Sequence, residues 1–217
     1  MSFKITQEIV DEAIKNNACK NCIKWGEKVL NQELTRENMV PEYIFWLHSI
    51  DVDISDFDLF EWAVQQDPIN TIVYVKKLLS LELLEWCVRK APKTTLINIG
   101  INHRLSPETI EYCVKLHPLT AITYAIEFLT PELFNWCIHK CPRQAIIYNS
   151  DLLSKEQFEY CAQADPECAF KYTSKLFTPE LFNYCIELEP GGAIKFMRDY
   201  LSPKQFKWCQ EHQEQEK

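Results

Sequence analysis

Glycine is nearly missing from this chain, with four in 217 residues, at Gly26, Gly100, Gly191 and Gly192. A loop that cradles phosphate needs several glycines within a few residues, so Walker and dinucleotide-binding chemistry is excluded. Neither G-x-S-x-G nor H-E-x-x-H occurs, and the histidines (His48, His103, His117, His139, His212) are scattered. The chain is therefore expected not to be an enzyme, with residues 93–105 the one region kept for a catalytic alternative. Long apolar runs are also absent: nothing approaches the ~18 residues of a membrane span. The opening MSFKITQEIVDEAIKNN lacks the apolar core of a secretion signal. The expectation is a soluble cytoplasmic (intracellular) protein without a membrane partner. Positive charge is in deficit, with 23 Lys and Arg against 31 Asp and Glu and a net charge of -8, which argues against general coating of nucleic acid.

What the chain does contain is a repeat. LTPELFNWCIHKCP (Leu129 to Pro142) returns 48 residues later as FTPELFNYCIELEP, with a blurred copy, LSKEQFEYCAQADP, halfway between. Trp62, Trp86, Tyr112, Trp136, Tyr160, Tyr184 and Trp208 mark successive copies at spacings of 24, 26, 24, 24, 24 and 24. Six residues before each aromatic stands Asp56, Ser80, Ser106, Thr130, Ser154, Thr178 or Ser202. Each of these can cap a helix by accepting from first-turn amides. Proline follows in four copies, where its missing N–H costs nothing, and an acid next complements the helix dipole. A second set, Pro68, Pro92, Pro118, Pro142, Pro166 and Pro190, falls 12 residues after each cap. It ends helix A and begins helix B, which is expected to run to Leu79, Leu105, Leu129, Leu153, Phe177 or Leu201. Asp67 and Asp165 are evident second caps; Ala91, His117, Cys141 and Glu189 are poorer ones.

Each unit is thus a pair of helices of about ten residues, too short to be stable alone, and the pairs must stack. Stacked hairpins resemble the α-solenoid class that includes tetratricopeptide and HEAT arrays, over roughly residues 40–210. The resemblance is one of architecture. It implies an all-α, right-handed α-solenoid of tandem short hairpins, and solenoids of this kind mostly bind proteins, peptides or nucleic acid. The expected organisation is an N-terminal helical cap over residues 1–39, from helices at 6–18 and 19–34, then a repeat array over 40–217. The array has a degenerate unit at 40–55, units starting near 56, 80, 106, 130, 154 and 178, and a final half unit at 202–217. The incompletely capped end leaves pairing with a second copy open. The Trp/Tyr row is expected to pack as a structural ladder.

Ten cysteines would suggest disulfides, but Cys87, Cys113, Cys137, Cys161, Cys185 and Cys209 occupy one position of successive repeats. Packed helices lie about 10 Å apart, beyond the roughly 7 Å Cα limit for a disulfide. They read as buried thiols in a reducing compartment. Cys19-x-x-Cys22 is half a zinc spacing with no second half, so no metal and no cofactor is expected.

Departures from the repeat give the candidate contact residues. The one longer repeat carries its extra pair between Pro92 and Ser106, around Lys93, Asn98, Asn102, His103 and Arg104, and insertions of this kind map to the loop face. Between Trp86 and Asn149 seven basic residues face four acidic ones. Arg89 and Lys90, Lys115, and His139 and Lys140 recur at the ends of three successive A helices, with Arg143 nearby. Dipole complementarity alone accounts for such placement; a basic strip for an acidic partner is the functional reading. The expectation is a protein-interaction module, adaptor or steric inhibitor, whose partner is another protein, including a nucleic-acid-processing enzyme. Single-stranded nucleic acid bound along the basic row is the alternative.

Overall fold

The computed structural model describes residues 3–54, 58–98 and 104–213. Its contacts gather into two compact units, Met1–Cys113 and Val114–Lys217. Among the described residues the regular structure is helical, with one isolated bridge, Lys4 with Glu33, and no strand. The all-α expectation holds.

The first unit begins with α1 (Gln7–Lys15) and α2 (Lys20–Lys28). Both are shorter than expected, because Asn17 and Asn31 take positive φ (60° and 58°) and turn the chain out of the helix. Gly26 lets the two cross closely, since a Cβ there would lie 3.3 Å from Val10 Cγ2. Next come α3 (Pro41–His48), α4 (Phe60–Gln66) and α5 (Pro68–Asn70), the last running into a wider turn over Thr71–Val75. Then follow α6 (Leu81–Lys90), α7 (Pro92–Ile97) and α8 (Pro107–Leu116), within which the division between units falls. The expected cap Asp56 lies outside the described residues; α4 starts after Leu59 with no side-chain cap.

The second unit contains α9 (Pro118–Tyr124), α10 (Pro131–Lys140), α11 (Pro142–Asn149), α12 (Lys155–Ala164) and α13 (Pro166–Tyr172). It finishes with α14 (Pro179–Leu188), α15 (Pro190–Met197) and α16 (Pro203–His212). Here α10 packs on α12 and α12 on α14, while α9, α11, α13 and α15 pack in succession beside them. Hairpins therefore stack in two layers, A helices on one side and B helices on the other.

Local chemistry sets these boundaries. Ser80, Ser106, Thr130, Ser154, Thr178 and Ser202 each accept from the amide three residues on, at 3.2–3.3 Å. Ser154 and Ser202 form full capping boxes with Gln157 and Gln205. Asp67 and Asp165 cap the B helices as expected, and Glu189 does so too, accepting from Gly192 N–H at 3.4 Å. The B helices end earlier than the leucine positions suggested. In the second unit they stop at Tyr124, Asn149, Tyr172 and Met197 and tighten into 3₁₀ turns. Leu129, Leu153, Phe177 and Leu201 are then extended (ψ 129° to 133°), and so are the N-caps that follow them. The 3₁₀ turn and the extended residue after it together carry the chain from one B helix to the next N-cap.

Small residues recur where the layers meet. Cys137, Cys161, Cys185 and Cys209 on the A helices, and Ala121, Ala145, Ala169 and Ala193 on the B helices, are fully buried. Neighbours such as Ile138, Ile146 and Phe170 fill the remaining space. A thiol adds a polar anchor: Cys185 Sγ donates to Ala162 O at 3.6 Å across adjacent repeats. All ten cysteines are free thiols.

Candidate functional site: an exposed aromatic row on the A helices

The Trp/Tyr row is not core. Tyr112, Tyr160 and Tyr184 are 38–46% exposed, and Trp62, Trp86, Trp136 and Trp208 are half-buried. The expected structural ladder is corrected accordingly. The preceding and following turns of each helix carry the core residues, for example Cys137 and Ile138, and these rotate the aromatic onto the flank of the buried stripe.

In the first unit each ring of the row carries a cation. Arg36 lies over Trp62 (5.6 Å from guanidinium carbon to ring centroid), Lys90 over Trp86 (5.8 Å) and Arg89 over Tyr112 (5.5 Å). Arg89 reaches forward one repeat, whereas Lys90 folds back on the ring four residues before it. A groove of about 410 Å³ between α4 and α6 is lined by Glu61, Gln65, Ser80, Glu82, Leu83 and Trp86.

The second unit repeats the pattern with different residues. Lys140 lies over Trp136 at 5.8 Å, and the His139 ring packs against Tyr160 at 4.4 Å, again one repeat forward. Tyr160 Oη donates to His139 O at 3.3 Å, and Trp208 stacks on His212 at 4.1 Å. Side-chain amides link successive A helices along the row: Gln157 Nε2 donates to Asn135 Oδ1 (3.3 Å) and Gln205 Nε2 to Asn183 Oδ1 (2.7 Å). A groove of about 350 Å³ between α14 and α16, lined by Asn183, Ile186, Glu187, Lys204, Gln205 and Trp208, repeats the position of the first unit's groove.

The residues expected to make contacts divide sharply. Arg89 and Lys90 belong to the first unit's row, and His139 and Lys140 to the second unit's. Lys115 is exposed at the end of α8 and Lys93 in the first turn of α7. Asn98 is tied to its own helix, donating from Nδ2 to Thr94 O at 2.9 Å. Arg104 is structural: Nη1 donates to Lys76 O and Nη2 to Leu79 O, both at 2.7 Å, closing the carbonyl end of the preceding helix pair. Arg143 is paired with Asp165 at 3.3 Å. Asn102 and His103 lie outside the described residues. Arg36 escaped the sequence reading because it precedes the regular repeats. The amide links were signalled only by a glutamine three residues after a serine cap.

Among the described residues no group of three or more His, Cys, Asp or Glu is placed to hold a metal ion. Burial pushes the thiols of Cys87, Cys137 and Cys161 up to about 12, and those of Cys113 and Cys185 up to about 11. At neutral pH they are thiols, not nucleophilic thiolates. No described helix is long and apolar enough to cross a membrane. No protein family, curated protein or solved structure matches this chain.

Proposed function

We propose that the chain is a non-catalytic protein-interaction module, an adaptor or steric inhibitor, that holds a macromolecular partner against the aromatic residues of its A helices, in one unit or in each. The observation that carries this reading is a row of exposed Tyr and half-buried Trp side chains on helices, with Arg, Lys or His packed on rings in both units. Trp, Tyr and Arg dominate binding energy at protein interfaces, and a ring already held by its neighbours loses little entropy on binding. The right-handed α-solenoid belongs to the same proposal, supported by the two-layer stacking of hairpins in the second unit. The free, buried cysteines support a reducing, cytoplasmic setting. The net charge of -8 favours a partner with a positive surface, of which a nucleic-acid-processing enzyme is one kind.

The same cation-on-ring pairs favour one second reading, single-stranded nucleic acid stacked on the row. The full-length tagged chain, used as bait in native lysate with and without nuclease, separates the two. A protein partner that survives nuclease and is lost from the Trp136→Ala/Tyr160→Ala and Trp86→Ala/Tyr112→Ala variants, with helicity unchanged, supports the module. Nucleic acid recovered without a protein partner, with retention falling steeply as salt rises, moves the row to the second reading. A partner held equally by all variants removes the row from the function.

A further inference from the structure

We propose that Cys19 and Cys22 form a dithiol that closes to a disulfide on exposure to a low-molecular-weight disulfide such as oxidised glutathione, making the first turn of α2 a redox-modified site. Cys19 is the N-cap of α2 and Cys22 its third residue, and Cys19 Sγ accepts the Cys22 N–H at 3.4 Å. That contact holds the outer sulfur over the first turn, beside the backbone of its partner, and residues three apart at a helix start have Cα atoms about 5–6 Å apart, within the range a disulfide accepts. The two thiols differ in access. Cys19 is exposed, whereas Cys22 is 5% exposed and lines a small cavity together with Ile5, Val10 and Leu47. Exposure lets the outer thiol meet a dissolved disulfide, whereas burial keeps the inner thiol from meeting a bulky oxidant directly.

The chemistry has two exchanges. The Cys19 thiolate attacks one sulfur of oxidised glutathione, forming a mixed disulfide and releasing one glutathione thiolate. Cys22, deprotonated by solvent base, then attacks the Cys19 sulfur, expelling the second glutathione thiolate and leaving the Cys19–Cys22 bond. Two protein thiols are oxidised, one glutathione disulfide is reduced to two glutathione molecules, and the released thiolates take up the two protons. The remaining eight cysteines are all buried, so none competes for the first step.

The test uses the full chain, reduced, freed of reductant, incubated with oxidised glutathione, alkylated and read by intact mass and tryptic mapping. Lys20 separates the two cysteines, so the disulfide appears as a linked pair of peptides, residues 16–20 with 21–24. The expected result is that linked pair in the wild type, with loss of two hydrogens and no retained glutathione. Cys22→Ser and Cys22→Ala should both trap one glutathione on Cys19, and Cys19→Ser should stay unmodified while folded. A wild type that retains glutathione on Cys19 with Cys22 alkylatable, or a Cys19 that does not react, overturns the proposal.

Discussion

Arg104 places both terminal nitrogens on backbone carbonyls 25 and 28 residues back in the chain. A charged donor on a partly buried carbonyl contributes about 1.5–3 kcal/mol, and its removal leaves the acceptor unsatisfied. Arg104→Met is therefore expected to lower the unfolding free energy by roughly that amount. Arg104→Lys should recover only part of it, because one ammonium cannot bridge two carbonyls. Urea denaturation decides, and an unchanged midpoint would return Arg104 to the list of contact residues. Its role was invisible in the sequence because neither acceptor carries a side-chain signal. A second residue-scale effect concerns Glu156, which its own backbone N–H and then the Ser154 hydroxyl (2.9 Å) hold below the usual carboxylate range. A carboxyl with a lowered folded value adds stability that is complete above the unfolded value, near ~4.3, and is lost as pH falls through the folded one. Glu156→Gln should thus be less stable than wild type at neutral pH and converge with it on acidification. A difference independent of pH would show that the hydroxyl and dipole contacts are not electrostatic.

The clearest contrast among the elements lies within α10. Ile138 is fully buried and Trp136, two residues earlier, is half-buried beneath Lys140. Ile138→Ala should cost about 2–5 kcal/mol, the range for a truncated core aliphatic. Trp136→Ala should cost less than the ~3–5 kcal/mol of a core tryptophan, because water already reaches one side of the ring. Parallel denaturation curves for the two variants check this, and an equal or larger loss for Trp136→Ala would restore the row to the core. The helices themselves were legible because their signals are local: a capping hydroxyl, a proline and an acid act within one turn. The exposure of the aromatic row was not. On a helical wheel Trp136 borders the apolar stripe, and which side of that border faces water depends on where the next hairpin lies. The early ends of the B helices were hidden for a related reason, since Leu129 and its equivalents are apolar whether helical or extended.

At the scale of the molecule, the repeat continues past the point at which contacts divide the chain, between Cys113 and Val114, with its one longer spacing, Trp86 to Tyr112, just before it. Regular spacing reports local structure, whereas cooperativity depends on how densely each segment meets others. The cysteines measure that directly, because ten are distributed through both units and one alone is exposed. In the reduced native protein a chromogenic disulfide reagent should release two equivalents at once, the first on attack by Cys19 and the second as Cys22 resolves the mixed disulfide, and react with the other eight only as structure opens. Of those eight, Cys87 and Cys113 belong to the first unit, and Cys137, Cys141, Cys161, Cys168, Cys185 and Cys209 to the second. Stacked repeats draw stability from their nearest neighbours, so opening follows the contact-dense blocks rather than the chain as a whole. The slow reaction should therefore resolve into a set of two thiols and a set of six, each accelerating with denaturant on its own slope. A single slow phase of eight would mean that the two units open together, and a series of phases of graded rate would mean that each hairpin opens alone.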